Sequence, residues 1–138
     1  AGPGYYNVGY GSMGTTRYIE YYYGNILILD LNADQRLKAY STIPKWQKSV
    51  DDYGIYASYS LLNTGSNMAF VYNDLLNKGY KVNSTIVNLD GKQETAEITA
   101  QMKGDGKWIP KMGTQTSAKE LVIPVLGGNK LQFVKVNF

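Results

Sequence analysis

The chain contains neither histidine nor cysteine. The commonest general base, the commonest transition-metal ligand and the thiolate nucleophile are therefore missing, which excludes histidine-based triads, Cys/His zinc sites and thiol catalysis. Disulfides are excluded as well, but the compartment stays open, because disulfides are common outside the cytosol without being required there. Long apolar runs are also lacking. The longest is ILIL at residues 26–29, far too short to span a bilayer as a helix. Charged residues make up only 18% of the chain for a net charge of +3, and no two lysines are adjacent, so the sequence carries no basic footprint for nucleic acid.

What is present points to β-structure. Thirteen tyrosines and fifteen glycines stand beside a 43% hydrophobic content, which at 138 residues is enough for one domain with a core. Residues 1–16, AGPGYYNVGYGSMGTT, hold almost no aliphatic side chain and read as a Gly/Tyr-rich flexible arm or insertion loop. The arm opens on Ala-Gly-Pro-Gly, with neither Met nor the features of a secretory signal. We expect either a processed N terminus or a fragment of something longer. Residues 17–138 then alternate apolar and polar side chains in short runs separated by Gly and Asn turns, the pattern of a β-rich domain made of hairpins.

The pattern predicts a first hairpin from RYIEYYY through Gly24-Asn25 into ILILDL, and a second that turns at Asn32-Ala33-Asp34 into RLKAYSTI. Pro44 and the polar run to Gly54 read as a connection, since proline cannot donate to a ladder. Further hairpins are expected at residues 63–66, at Asp90-Gly91 and at Gly127-Gly128-Asn129, with a loop over LLNKGYK. The stretches ILILDLNADQRLKAYSTI and TIVNLDGKQETAEITA repeat one order: apolar strand, Leu-Asn or Leu-Asp turn, second strand. That repetition predicts an all-β, antiparallel fold of propeller-blade-like hairpins, with a β-sandwich or jelly roll as the alternative. We expect such a domain to form part of a larger propeller.

The segments YYYGNILILDLNADQ, IPKWQKSVDDYGIYASYSLL, FVYNDLLNK, VNLDGK and LVIPVLGGNKLQFVKVNF together resemble the C-terminal region of long secreted or outer-membrane-associated proteins of Bacteroidota. Those proteins look like β-propellers of unassigned function, often preceded by a Gly/Tyr-rich insertion. Asp51-Asp52-Tyr53-Gly54 stands where the family pattern would have NDGG, a departure at any shared turn there. The resemblance implies an extracytoplasmic location, periplasmic, outer-membrane-associated or at the cell surface, and a role in a larger assembly. It transfers no catalytic residue.

Carboxylates remain as possible chemistry. Asp51, Asp52, Asp74, Glu94 and Glu97 read as solvated loop and strand groups, and adjacent carboxylates on extended backbone point to opposite sides. We expect no enzyme. Asp30, Asn32 and Asp34 carry the D-x-N-x-D opening of a calcium loop, but Gln35 replaces its glycine and Ser41 its bidentate Glu, which leaves a looser calcium-binding turn as the metal expectation. The better candidates for binding are aromatic: Trp46, Trp108, Tyr53, Tyr56, Tyr59 and Tyr72, whose faces suit sugar rings or an intramolecular seam. Three functions follow as expectations: a noncatalytic cell-envelope module that engages a protein partner or the remainder of a longer chain, a carbohydrate-binding module, and a filament subunit joined by strand complementation.

Overall fold

A computed structural model describes residues 5–8, 16–75, 81–98 and 106–138. The predicted loop over LLNKGYK falls largely outside the described residues, as does most of the predicted arm. Among the described residues the fold is all-β and antiparallel, with one short 3-10 turn, and no sheet closes on itself.

Thirteen strands occur among the described residues. β1 (Tyr5–Val8), β2 (Ile19–Tyr23) and β5 (Gln47–Val50) form one sheet, and β3 (Ile26–Leu31) pairs with β4 (Leu37–Ile43) as a separate ribbon. β6 (Ser60–Asn63), β7 (Asn67–Asp74), β8 (Lys81–Asn88) and β9 (Gln93–Glu97) make a four-stranded meander. In the last sheet β12 (Glu120–Gly127) is central, flanked on one side by β13 (Lys130–Asn137) and on the other by β10 (Lys107–Trp108) and β11 (Thr114–Gln115) in succession.

Alternation along β7 explains the layering. Ala69 and Val71 face one way, into a core with Leu62, Val82, Trp108, Leu121, Ile123 and Val125. Phe70 and Tyr72 face the other way, into a second core with Ile26, Ile43 and Val87. The central strands β7 and β8 are thus buried on both faces, between the β3–β4 ribbon and the β10–β13 sheet. Three β layers stack, and the middle one supplies side chains to both cores.

The repeated stretch of sequence is one turn used twice. In Asn32-Ala33-Asp34-Gln35-Arg36 the Asn32 N–H donates to the Arg36 carbonyl at 2.8 Å, and the Gln35 N–H to the Asn32 carbonyl at 2.8 Å. In Asn88-Leu89-Asp90-Gly91-Lys92 the equivalent bonds measure 3.1 and 3.0 Å. The fourth residue is left-handed in both copies, Gln35 at φ 66° and Gly91 at φ 80°. The flanking strands differ, one pair forming an isolated ribbon and the other the edge of the meander. Shared turn chemistry therefore does not extend to equivalent blades.

Three local expectations are corrected. β2 and β3 do not form a hairpin; Gly24-Asn25 is a corner between sheets, where the Asn25 side-chain oxygen accepts from the Lys45 N–H at 3.1 Å. Residues 47–50, read as connection, are strand β5, because Pro44 lies before the ladder and removes no donor from it. Within the predicted arm, Tyr5–Val8 is a strand paired to β2.

The break between β10 and β11 has a cause. Pro110 begins a 3-10 turn, and Pro124 lies opposite it in β12, where its carbonyl accepts from the Ile109 N–H at 2.8 Å. The missing N–H of Pro124 therefore faces the interruption, where no ladder acceptor is needed. Beside the break, the Ser60 hydroxyl donates to the Pro110 carbonyl, and a Cβ on Gly113 would overlap that hydroxyl. The Gln115 side chain then clamps β6, its Oε1 accepting from the Asn63 N–H and its Nε2 donating to the Asn63 carbonyl, both at 2.9 Å.

Two substitutions test these readings by chemical denaturation. Gly113→Ala is expected to cost about 1–3 kcal/mol through overpacking against Ser60. Gln35→Gly is expected to stabilise by about 0.5–1 kcal/mol, since glycine adopts the left-handed turn position without steric cost.

Candidate functional site

The structure does not gather the six predicted aromatics on one surface. Trp108 is only 4% exposed in the first core and Tyr72 6% in the second, on opposite faces of the meander. Tyr59 packs on Phe70 with ring centroids 5.5 Å apart, and Tyr56 lies half-buried beneath the Lys107 ammonium at 5.4 Å. Trp46 and Tyr53 are exposed. Trp46 sits 5.9 Å from the Tyr22 ring on the outer face of the first sheet, where Lys48 lies over Tyr22 and pairs with Glu20 at 2.7 Å. The bond from Lys48, aided by one from the Tyr22 hydroxyl, holds the Glu20 carboxyl below its ordinary value.

The calcium candidates are engaged as turn and ion-pair groups. Asp30 pairs with Lys38 at 3.3 Å, and Asp34 with Arg36 at 3.6 Å while also accepting from the Arg36 N–H. Asn32 contributes its backbone to the turn. Of the other carboxylates, Asp51 accepts from the Ile19 N–H, Asp52 from the Gly54 N–H, and Glu97 pairs with Lys81.

Sequence reading missed a buried polar knot built from IPKWQ and YND. Gln47 and Asn73 are both fully buried. The Gln47 Oε1 accepts from the Ser58 N–H at 2.8 Å and from the Lys45 ammonium at 2.7 Å, while its Nε2 donates to the Asn73 carbonyl at 2.7 Å. The Asn73 Nδ2 donates to the Tyr56 carbonyl at 2.9 Å and the Trp108 carbonyl at 2.8 Å. Two amides thereby tie β5, β7, β10 and the loop at residues 51–59 together. That loop needs the ties, because Asp51, Tyr53, Gly54 and Ser58 all have positive φ. Burial lowers the Lys45 amine from 10.5 to about 8.

These geometries can be set against known proteins. No family model, curated protein or solved structure matches the chain.

The largest anomaly on that surface is the β3–β4 ribbon. Its inner face buries Ile26 and Ile43. Its outer face pairs Leu27 with Thr42, Leu29 with Tyr40 and Leu31 with Leu37. Leu27, Leu29, Leu31, Leu37 and Tyr40 remain 52–72% exposed, and every residue paired in register on their face is uncharged. The bulge at Asp30/Leu31 skips Lys38 and so brings Leu37 opposite Leu31. Lys38 instead pairs with Asp30 on the inner side, over a cleft of about 630 Å³ that Ile28, Met68, Val87 and Asn88 also line. Sequence held the signal in ILILDL, whose near-continuous apolarity asks for cover on both faces, whereas only one face is covered.

Two measurements test the knot. Asn73→Ala would leave the Tyr56 and Trp108 carbonyls short of a donor, for an expected loss of about 2–4 kcal/mol in urea unfolding. Because the folded state disfavours charged Lys45, stability should rise as pH climbs from about 8 toward 10.5, and the denaturation midpoint of Lys45→Met should lack that rise.

Proposed function

We propose that this chain is a noncatalytic binding and assembly module of a cell-envelope complex, extracytoplasmic and engaged with a protein partner or with the remainder of a longer chain. The observation that carries this reading is the uncovered outer face of the β3–β4 ribbon. Five large apolar side chains left half to three-quarters exposed form a patch on the order of 400–500 Å², in the range where the largest apolar patch of a domain is often functional. A stack of antiparallel layers with open ends also fits a segment of a larger propeller, in which adjacent blades cover such faces. The noncatalytic part of the reading is supported by the composition, which has no histidine or cysteine, and by carboxylates occupied with turns and ion pairs.

A photocrosslinking residue placed at Tyr40, in cells that make the protein, tests the proposal. A discrete protein adduct is expected from Tyr40 and not from the exposed control position Glu94. Equal or absent labelling at the two positions would overturn it.

A further inference from the structure

The inner face of the ribbon is packed along only part of its length. At one end Ile26 and Ile43 enter the second core, and beside them the Gln93 Nε2 donates to the Ser41 hydroxyl at 2.8 Å and to the Thr42 carbonyl at 2.9 Å. Toward the ribbon tip the same face borders the cleft of about 630 Å³, whose other walls are the meander turns at residues 63–67 and 88–91. That volume lies within the range of about 300–1,000 Å³ usual for small-molecule sites. Ile28, Met68 and Val87 make an apolar floor continuous with the second core, and Ala39 is the shortest side chain on the ribbon's inner face. Gly65 and Gly91, both left-handed, add bare backbone to the walls, with open space where a Cβ would stand.

The polar lining is rich in unused donors. The Asn63 Oδ1 accepts from the Gly65 N–H at 2.8 Å, and the Asn88 Oδ1 from the Asp90 and Lys92 N–H groups at 3.0 and 2.9 Å. These oxygens are fixed in their turns, so the Nδ2 of each amide is held on the far side, and neither donates to an acceptor among the described residues. Asn67 adds a third lining amide whose side chain has no partner among the described residues. The charged lining residues are Asp30, Lys38 and Asp90; the first two pair at 3.3 Å, and Asp90 has no ion pair among the described residues. Their sum of one negative charge disfavours an anion, and a simple cation would leave the amide donors unmet.

We infer that this cleft binds a neutral saccharide. A pyranose offers an apolar C–H face to Ile28, Met68 and Val87, ring and hydroxyl oxygens to the three amides, and hydroxyl protons to the Asp30 and Asp90 carboxylates. None of the six aromatics proposed from the sequence lines this cleft. Only Leu29 and Tyr40 border both the cleft and the docking face proposed above, and the saccharide site stands or falls apart from that reading.

Saturation-transfer NMR on the full chain supplies the test, with maltotetraose, cellotetraose, xylotetraose and chitotetraose as neutral probes and tetragalacturonate as an anionic one. Transfer to at least one neutral probe is expected, with weaker or no transfer to tetragalacturonate. Asn88→Asp keeps the oxygen that accepts from Asp90 and Lys92 but removes the Nδ2 donors, and should raise the Kd of that probe about tenfold. Ala39→Phe should fill the cleft and abolish transfer. Cooperative thermal unfolding near the wild-type midpoint would establish that the variants fold, and Asn63→Asp, which retains the bond to Gly65, replaces either one that does not. Trp46→Ala, at an exposed aromatic outside the cleft, should leave the Kd unchanged. No transfer to any neutral probe at millimolar concentration, tighter binding of tetragalacturonate, a Kd unmoved by the cleft variants, or binding lost with Trp46→Ala would each overturn the inference.

Discussion

Two buried amides hold the sheets to one another. Gln47 and Asn73 each satisfy backbone groups that no ladder reaches, and together they join a strand of the first sheet, the middle of the meander and the short strand at Trp108. A buried amide without partners would be costly, so the contacts act as a set: completed, they fix one arrangement, and half-completed they oppose it. The loop at residues 51–59 depends on them most directly. Its left-handed residues are held because Ser58 and Tyr56 are bonded from both sides of the knot, with the Lys111 ammonium donating to the Gly54 carbonyl at 3.2 Å as a further tie. Contacts distant in sequence thus support the loop alongside local ones, such as the Gly54 N–H donating to the Asp52 carboxylate and glycine's own freedom at residue 54.

The turns were the most legible part of the sequence. Asn and Gly at the right offsets identified the hairpins at residues 63–66, at Asp90-Gly91 and at Gly127-Gly128-Asn129, and the recurring Asn-x-Asp pattern marked a turn whose two backbone bonds the structure repeats. Partners of strands were less legible. Gly24-Asn25 looks like a hairpin and is a corner, because local sequence specifies a change of direction without specifying which sheet receives the next strand. β5 escaped notice because its essential residue is a polar Gln, and alternation of apolar side chains is silent about a strand whose inward group is an amide.

The candidate surface was half visible. Leucines and isoleucines running without a polar break through residues 26–29 announce a strand apolar on both sides, but sequence cannot say which side remains open once the chain has folded. Aromatic residues misled for a related reason. Trp108 and Tyr72 carry the same chemistry as Trp46 and Tyr53, yet one pair fills two separate cores and the other stands in solvent.

The interrupted strand beside β12 has a consequence for misassembly. A continuous strand edge offers an uninterrupted row of donors and acceptors on which a foreign chain can align, and proline or a kink removes that row. On the β10–β11 side the row is broken by Pro110 and its turn, and Pro124 removes a donor at the same level. On the opposite side β13 runs eight residues without a break and carries Phe133 and Leu131 outward. A chain adding to this sheet would therefore meet a broken border on one side and a continuous one on the other, where Lys130 and Lys135 are the charges on the strand.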